Sequence, residues 1–213
     1  MNPRRPELYG VTLAVLVGFG CEDVLMKKGS RARRPDVTAL ELVGGAEPLT
    51  VELRSYDERW VDLYHDHRRE ILNALVPANV DVEHIGSTSV PGLAAKPIID
   101  IVVTVNDITA EEDYLDALLV AGYELRVREP GHRLVRTPAR DVHVHIYEQG
   151  DPAVAEYLLL RDWLRSNADD RALYESTKRS LLRRRWDDMN AYADAKTDVI
   201  LAIKARARAG RVH

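Results

Sequence analysis

The amino-acid sequence predicts a mixed α/β (α+β) fold, in which a sheet with flanking helices is followed by a C-terminal helical bundle. Residues 56–75 repeat apolar side chains at the spacing of an amphipathic helix. Between residues 80 and 147, short apolar runs alternate with turn residues, a pattern typical of strands. Beyond Gly150 the apolar residues recur only at helical spacing. Strands are therefore expected in the middle of the chain and helices at its end.

The first part of the predicted domain consists of alternating short elements. We expect a short strand over 51–54 and the amphipathic helix over 56–75. A strand over 80–85 then leads into Gly86, which turns the backbone without a Cβ clash. A short helix is expected over 89–95, because a proline stands near its first turn.

The second part begins with a buried strand over 98–105 and a helix over 111–121 that Gly122 closes. Three further strands are predicted over 123–128, 132–137 and 142–147. Three helices are predicted over 152–166, 170–185 and 188–208. The chain is thus divided into an α/β core at 51–150 and a C-terminal helical subdomain at 151–213.

Length and composition bound the functional class. A chain of 213 residues suffices for one well-filled domain, or for a small domain with a helical appendage. Its 30 basic and 34 acidic residues give a net charge of −4, which provides no overall basic surface for nucleic acid. The single cysteine, Cys21, excludes an internal disulfide and fits a cytoplasmic protein.

Residues 1–50 differ in kind from the rest. An apolar stretch at 8–20 follows two arginines, but it is too short to span a bilayer. Gly18 and Gly20 interrupt it, and no small-residue cleavage pattern follows. We therefore expect a poorly ordered or atypical N-terminal extension and no membrane association.

The strongest chemical signal is the Gly-Ser turn, residues 86–89, which precedes the predicted strand at 98–105. Ser87 and Thr88 bring hydroxyls and backbone N–H groups to a place where an anion can bind. Asp100 stands inside the apolar strand, where a carboxylate is costly unless it has a partner. Lys96 is expected either to contact a phosphate or to pair with that aspartate.

Strand alternation predicts which side chains share a face. Asp100, Val102 and Thr104 lie on one face of their strand, and His143 and His145 share a face of a later strand. If these faces meet, the aspartate and the two histidines form a carboxylate–imidazole cluster. Such a donor set suits Mn, Zn or Fe, whereas Mg prefers oxygen ligands.

The remaining candidates each have a structural alternative. His84, at the end of a strand, is expected either to donate to a phosphate or to make a structural hydrogen bond. Arg161 and Arg165 share a helix face, which suits an anion clamp or a solvated surface. Lys178 and Lys196 each follow a tyrosine by four residues, a spacing that packs a lysine over a ring.

Together these blocks resemble the signature of the GrpB family, a branch of the nucleotidyltransferase superfamily. The resemblance runs from about residue 51 to the C-terminus, through 84–103, 141–145, 160–165, and the Tyr174/Lys178 and Tyr192/Lys196 pairs. It implies a nucleotidyltransferase-like mixed sheet, a triphosphate held at the Gly-Ser turn, and divalent metal (Mg or Mn) on strand-borne acids. The nucleotide-binding residues that it implies are His84, Gly86, Ser87, Thr88, Lys96, Arg161, Lys178 and Lys196.

One position departs from the superfamily pattern. Those enzymes carry a second acidic residue two positions after the first, and here that position is Val102. A mechanism with two metal ions would therefore need His143 or His145 as a substitute ligand. Otherwise the protein binds a nucleotide without transferring it.

Three hypotheses follow for function. The first is a nucleotidyltransferase-like protein that binds a nucleotide or phosphorylated small molecule, with Asp100, His143 and His145 as its metal-binding and catalytic residues. The second is a non-catalytic accessory module, of the kind fused to dephospho-CoA kinases. The third is a metal-dependent hydrolase in which the histidine pair and the aspartate activate water.

Overall fold

The computed structural model describes residues 33–45, 52–183 and 195–210. Several sequence predictions lie outside the described residues. They include most of the N-terminal extension with Cys21, the first residue of the strand predicted at 51–54, and the beginning of the last helix with Tyr192.

The core is a six-stranded mixed sheet in the order β1-β4-β5-β6-β3-β2. Its strands are β1 (Glu41–Leu42), β2 (Asp81–Ile85), β3 (Ile99–Val105), β4 (Glu124–Glu129), β5 (His132–Arg136) and β6 (Val142–Glu148). The neighbours β3 and β6 are parallel, and all other neighbouring pairs are antiparallel. The predicted mixed α/β fold is confirmed.

Five α-helices are described: α1 (Arg59–Ala74), α2 (Leu115–Val120), α3 (Pro152–Ser166), α4 (Ala168–Leu182) and α5 (Thr197–Gly210). Helix α3 has the bounds that the sequence predicts, because the Asp151 side chain caps its first turn by accepting from Ala153 N. Helix α4 begins two residues earlier than predicted, since Asn167 caps it in the same way.

Three predicted elements differ in the structure. The helix expected over 89–95 is replaced by one 3-10 turn at Ser87–Ser89, because Gly92 takes a φ of +78° that ends helical geometry. The helix expected over 111–121 is split into a 3-10 turn at Glu111–Asp113 and α2 by Tyr114, whose φ is −144°. The strand expected over 51–54 is reduced to a single bridge between Arg54 and Ala95.

The two faces of the sheet are covered differently. Helices α1 and α2 pack on the face that carries Ile101, Val103 and Val144, which forms the main core. The opposite face carries Val102 and Tyr147, and α3 covers part of it through Val154, Tyr157 and Leu158. The polar end of this second face therefore lies beside the C-terminal helices.

Residues 33–45, which the sequence analysis assigned to the N-terminal extension, contact the sheet. Strand β1 pairs antiparallel with β4. The guanidinium of Arg133, which is 2% exposed, lies 2.6 Å from carboxylate oxygens of both Asp36 and Glu111. A two-residue strand has no detectable periodicity, so the sequence could not predict it.

Within the described part of the chain, every helix is too short or too polar to cross a membrane.

Candidate functional site

Asp100, His143 and His145 come together on the second face of the sheet. Because β3 and β6 are parallel, Asp100 pairs directly with His143 and lies diagonal to His145. Asp100 Oδ1 lies 3.5 Å from His143 Nδ1 and 3.8 Å from His145 Nε2. One ligand atom from each residue fits within 4.8 Å of the others, and no other group of three such side chains does so within residues 33–45, 52–183 and 195–210.

The histidines make the site favourable for a charged carboxylate. Burial acts to raise the pKa of Asp100, but hydrogen bonds and charge from His143 and His145 outweigh it and hold the pKa well below its usual range. The aspartate is therefore an anion at every physiological pH. Its side chain is 30% exposed, so one side of the carboxylate remains accessible.

These donors fit a divalent transition metal. Two imidazole nitrogens and one carboxylate oxygen form a set that suits Mn, Zn or Fe better than Mg. Val102, two positions after Asp100, is 1% exposed and packs with Tyr147 beneath α3. Position 102 therefore offers no ligand, and any metal here would be held by Asp100 and the histidine pair.

The Gly-Ser turn lies against the aspartate. Gly86 has φ +69° and ψ −172°, a conformation that is open only to glycine. A Cβ at this position would lie 2.4 Å from Asp100 Oδ2. Glycine is therefore required for two reasons: its backbone angles, and the close approach of the carboxylate to the turn.

The three hydroxyls of the turn have different partners. Thr88 donates to the carbonyl of Ile98 at 3.0 Å, and Ser89 donates to the carbonyl of Gly86 at 2.6 Å. Both groups thus hold the shape of the turn. The hydroxyl of Ser87 instead accepts from the ammonium of Lys178 at 3.0 Å. Ser87 is the member of the turn that connects to the C-terminal helices.

Of the two roles expected for His84, a phosphate contact or a structural hydrogen bond, its contacts are those of the second. The residue lies on the face of the sheet opposite Asp100, and its ring stacks on Tyr64 with centroids 4.7 Å apart. The Thr88 hydroxyl proton is used on Ile98, so His84 Nε2 donates to Thr88 Oγ1 at 3.1 Å. Burial lowers the pKa of His84 to about 4, so the ring is neutral at pH 7.

Two lysines approach the turn from the helical subdomain. Lys178, on α4, is 4% exposed, and its Nζ also donates to the carbonyl of Ala94 at 2.5 Å. The same ammonium lies 4.8 Å from the ring centroid of Tyr174, which agrees with the i, i+4 spacing. Burial, with the charge of Lys196, lowers the pKa of Lys178 to about 7. This lysine therefore titrates near neutral pH.

Lys196, just before α5, is the electrostatic neighbour of both Asp100 and Lys96. Burial lowers the pKa of Lys196, the charge of Asp100 opposes that change, and the charge of Lys96 adds to it. Half-buried cations near one carboxylate create a local excess of positive charge. An anion such as a phosphate would relieve the repulsion between them.

The described contacts of Arg161 are with residues outside this cluster. Its guanidinium pairs with Glu83 at 2.7 Å and Asp162 at 2.8 Å, and it donates to the carbonyl of His84 at 3.0 Å. These bonds connect α3 to the edge strand β2. The helical spacing of Arg161 and Arg165 left an anion clamp and a solvated surface as alternatives, and both side chains instead bond to the protein, with Arg165 donating to the carbonyl of Ser89.

Two further residues, Glu129 and His132, lie beside the cluster, and neither was predicted from the sequence. His132 Nε2 lies 3.2 Å from His145 Nδ1, and His132 Nδ1 lies 2.6 Å from Glu129 Oε1. A signal was present, because Glu129 and His132 flank the dipeptide Pro130–Gly131. A two-residue hairpin loop there would have placed them opposite each other and would have set the register of β4 and β5.

One family model and two known proteins each match most of this chain. A family model described as "GrpB protein" matches residues 50–206. A UPF0157 protein of Streptomyces coelicolor is 70% identical over 186 residues, which cover 87% of this chain and 100% of that protein. The crystal structure of the conserved protein GrpB from Enterococcus faecalis superposes with a TM-score of 0.67 and 30% identity, covering 76% of this chain and 100% of that one.

A third match is to part of a larger enzyme. A dephospho-CoA kinase of Mycolicibacterium paratuberculosis is 32% identical over 161 residues. That alignment covers 60% of this chain and 40% of the kinase. A domain similar to this chain is therefore present in that kinase, beside the rest of its sequence.

Proposed function

The chain belongs to the GrpB family, and from that premise we propose that it binds a nucleotide, or a related phosphorylated small molecule, together with a divalent metal. The phosphates would be held by Ser87, Lys178 and Lys196. The metal would be held by Asp100, His143 and His145. One observation carries the proposal: the Gly-Ser turn contacts the aspartate on one side and the buried Lys178 on the other.

The chemistry that this arrangement supports is nucleotidyl transfer to a hydroxyl or phosphate acceptor. Lys178 and Lys196 would neutralise phosphate oxygens and hold them in a fixed orientation. Because Gly86 has no Cβ, the Asp100 carboxylate can lie against the same turn that would bind the phosphates. A bound divalent ion supplies further charge neutralisation at the phosphates. Positioning and electrostatics would thus provide most of the rate.

Calorimetric titration of nucleoside triphosphates, with Mn²⁺ or Mg²⁺ present, tests the proposal, and pyrophosphate release tests the transfer step. Saturable binding is expected with Mn²⁺ and weaker binding with Mg²⁺, because of the two imidazoles. Asp100→Asn should weaken the metal-dependent binding at least about tenfold. The exposed Asp62→Asn, on α1, is the matched control and should bind as the wild type does. A folded wild-type chain with no saturable binding in either metal would contradict the proposal.

The match to a dephospho-CoA kinase supports a second candidate, a non-catalytic accessory module. In that case the chain would bind a dephospho-CoA kinase that lacks such a domain. Analytical ultracentrifugation of the mixed proteins measures this association. Asp100→Asn should leave it unchanged, because the accessory role does not use the ligand site. Complex formation without nucleotide binding would favour this candidate over the first.

A further inference from the structure

We infer that Ser87 is a nucleophile and Lys178 is its general base, so that the first acceptor of a nucleotidyl group is the protein itself. The inference rests on the proposed nucleotide site and deepens it, because it names the group that attacks. A serine hydroxyl is a weak nucleophile until a neighbouring base takes its proton. A neutral lysine amine within hydrogen-bond distance is such a base, and Lys178 Nζ lies 3.0 Å from Ser87 Oγ.

Among the three hydroxyls of the Gly-Ser turn, that of Ser87 has a proton available for transfer. Thr88 and Ser89 donate their protons to backbone carbonyl groups, which fixes both side chains. Ser87 is also the most accessible of the three, since it is half-buried whereas Thr88 and Ser89 are 1% and 4% exposed. A substrate can therefore reach this hydroxyl and not the other two.

The contacts of Lys178 show where the lone pair of its amine points. Three groups surround Nζ: Ser87 Oγ at 3.0 Å, the carbonyl oxygen of Ala94 at 2.5 Å, and the ring of Tyr174 with its centroid at 4.8 Å. The carbonyl and the negative face of the ring only accept, so each keeps an N–H when the ammonium loses one proton. The lone pair then faces Ser87, which is the partner of the three that can donate.

The amine form of Lys178 is available near neutral pH because the side chain is shielded from water. The residue is 4% exposed. Burial, with the charge of Lys196, lowers its pKa to about 7, while Glu175 opposes this change and Arg179 adds to it. A fraction of the chains therefore carries the base at pH 7, and that fraction grows as the pH rises.

The proposed step conserves atoms and charge. Ser87 Oγ attacks the α-phosphorus of a bound nucleoside triphosphate, and the hydroxyl proton passes to Lys178 Nζ. The bond between the α-phosphorus and the bridging oxygen of pyrophosphate breaks, and pyrophosphate leaves with the electron pair of that bond. The products are a nucleotidyl ester of Ser87, pyrophosphate and the ammonium form of Lys178.

The first test uses a fluorophosphonate, an electrophile that reacts with activated serines without any nucleotide. Mass spectrometry of peptides should locate the adduct on Ser87, and Ser87→Ala should not form it. Lys178→Met should react at least about 100-fold more slowly, because it lacks the base. The matched controls are Ser176→Ala, an exposed serine on α4, and Lys204→Met, a buried lysine 3.1 Å from Glu156; both should react as the wild type does. A folded wild type without an adduct on Ser87, or equal rates in the wild type and Lys178→Met, overturns the inference.

The pH dependence of this reaction separates a base from a merely structural contact. In the wild type the rate should rise with pH and level off above about pH 7, since the neutral amine is the reactive form. Circular dichroism shows whether each variant is folded. Should Lys178→Met fail to fold, Lys178→Arg is the second variant, because it keeps the positive charge but cannot take a proton. A wild-type rate that stays constant from about pH 6 to about pH 9 would contradict the proton transfer.

The second test uses a nucleoside triphosphate labelled at the α-phosphorus, with Mn²⁺ present. A covalent adduct on Ser87 and an equal amount of pyrophosphate are expected without any other acceptor, and Ser87→Ala should produce neither. Saturable nucleotide binding without an adduct overturns this inference and leaves the proposed function standing. The absence of saturable binding instead overturns the proposed function.

Discussion

At the scale of single residues, the site depends on how closely the backbone of Gly86 approaches the carboxylate of Asp100. The turn and the strand are separated by only a few residues in the chain, yet their contact leaves no room for a methyl group. The same turn presents Ser87 to Lys178. A substitution that displaces this turn should therefore affect the positions of both the aspartate and the lysine.

Gly86→Ala tests this contact. Its new Cβ would lie 2.4 Å from Asp100 Oδ2, so the carboxylate must move and the affinity for Mn²⁺ should fall at least about tenfold. Gly92→Ala is the control, because Gly92 also has a positive φ but an added Cβ meets nothing within 4 Å. From the backbone alone, Gly92→Ala should lose about 1 kcal/mol of unfolding free energy and Gly86→Ala up to about 3 kcal/mol, because the φ and ψ of Gly86 are open only to glycine. Equal Mn²⁺ affinity in the two variants would show that the contact is unimportant.

Lys178 predicts a pH dependence of anion binding. Burial, with the charge of Lys196, lowers its pKa to about 7, so the ammonium that attracts an anion is present below that pH and lost above it. The affinity for tripolyphosphate, measured calorimetrically without metal, should therefore fall as the pH rises from about 6 to about 9. Lys178→Met should bind weakly at every pH, with a smaller slope. An affinity that rises with pH would contradict this assignment.

The same lysine affects stability with a definite sign. Its pKa is about 7 in the folded chain, against 10.5 for a lysine fully exposed to water, so between these values the unfolded chain binds more protons. The free energy of unfolding should therefore increase with pH over that window. Urea denaturation of the wild type and of Lys178→Met, compared at both ends of the window, isolates the contribution of this residue.

At the scale of secondary-structure elements, the parallel pairing of β3 with β6 creates the cluster. The register places Asp100 opposite His143 and Val102 opposite His145. A shift of one residue would turn both histidines into the apolar core beneath α1. Alternation within each strand was visible in the sequence, but the partner and register of two strands separated by α2, β4 and β5 were not.

Ion pairs help to hold residues 33–45, which include β1, against the sheet. Arg133→Leu would leave Asp36 without its buried guanidinium partner, and Glu111 would keep only Arg128. We expect a loss of about 3–5 kcal/mol of unfolding free energy in urea denaturation.

Arg54→Leu is the control for this prediction. Its ion pair with Glu52 is 2.9 Å long, but both side chains are about 60% exposed, so the loss should be at most about 1 kcal/mol. Similar losses in the two variants would show that burial of Arg133 contributes no more than a surface ion pair.

At the scale of the whole molecule, the helical subdomain and the α/β core meet at the candidate site. Glu175 on α4 accepts from the backbone N–H of Ala94, and Lys178 donates to the carbonyl of the same residue. Asp170, on α4, then connects that helix to two others, accepting from Trp163 on α3 and from Arg206 on α5. A ligand that contacts Ser87, Asp100 and Lys178 would therefore bind both parts of the fold.

Ligand binding should consequently stabilise the entire chain. At about 100 times Kd, Mn²⁺ with a nucleoside triphosphate should add about 2.7 kcal/mol, which corresponds to a rise in Tm of a few degrees by calorimetry. Removal of the metal with EDTA should reverse most of this rise. In Asp100→Asn the rise at the same concentrations should be smaller, because binding that is about tenfold weaker removes about 1.3 kcal/mol of the stabilisation. Two separate transitions, of which only one shifts, would contradict coupling between the core and the helices.

Local structure could be predicted from the amino-acid sequence alone. Apolar periodicity predicted α1, the strands β2 to β6 and the bounds of α3, because side-chain spacing reports directly which face of an element is buried. The residue types and the strand alternation also identified the Gly-Ser turn, Asp100 and the two histidines as groups suited to one site. These patterns could not predict β1, nor the loss of the helix at 89–95, where the φ of Gly92 prevails over the favourable proline.

Which of these groups meet depends on the packing of the whole chain. That packing placed His84 on the opposite face from Asp100, used Arg161 to join α3 to β2, brought Lys178 to Ser87 over 91 positions of chain, and set His132 behind His145. Such contacts depend on strand order, register and helix docking. These are fixed by the burial of the whole apolar surface, and no local pattern of residues encodes them.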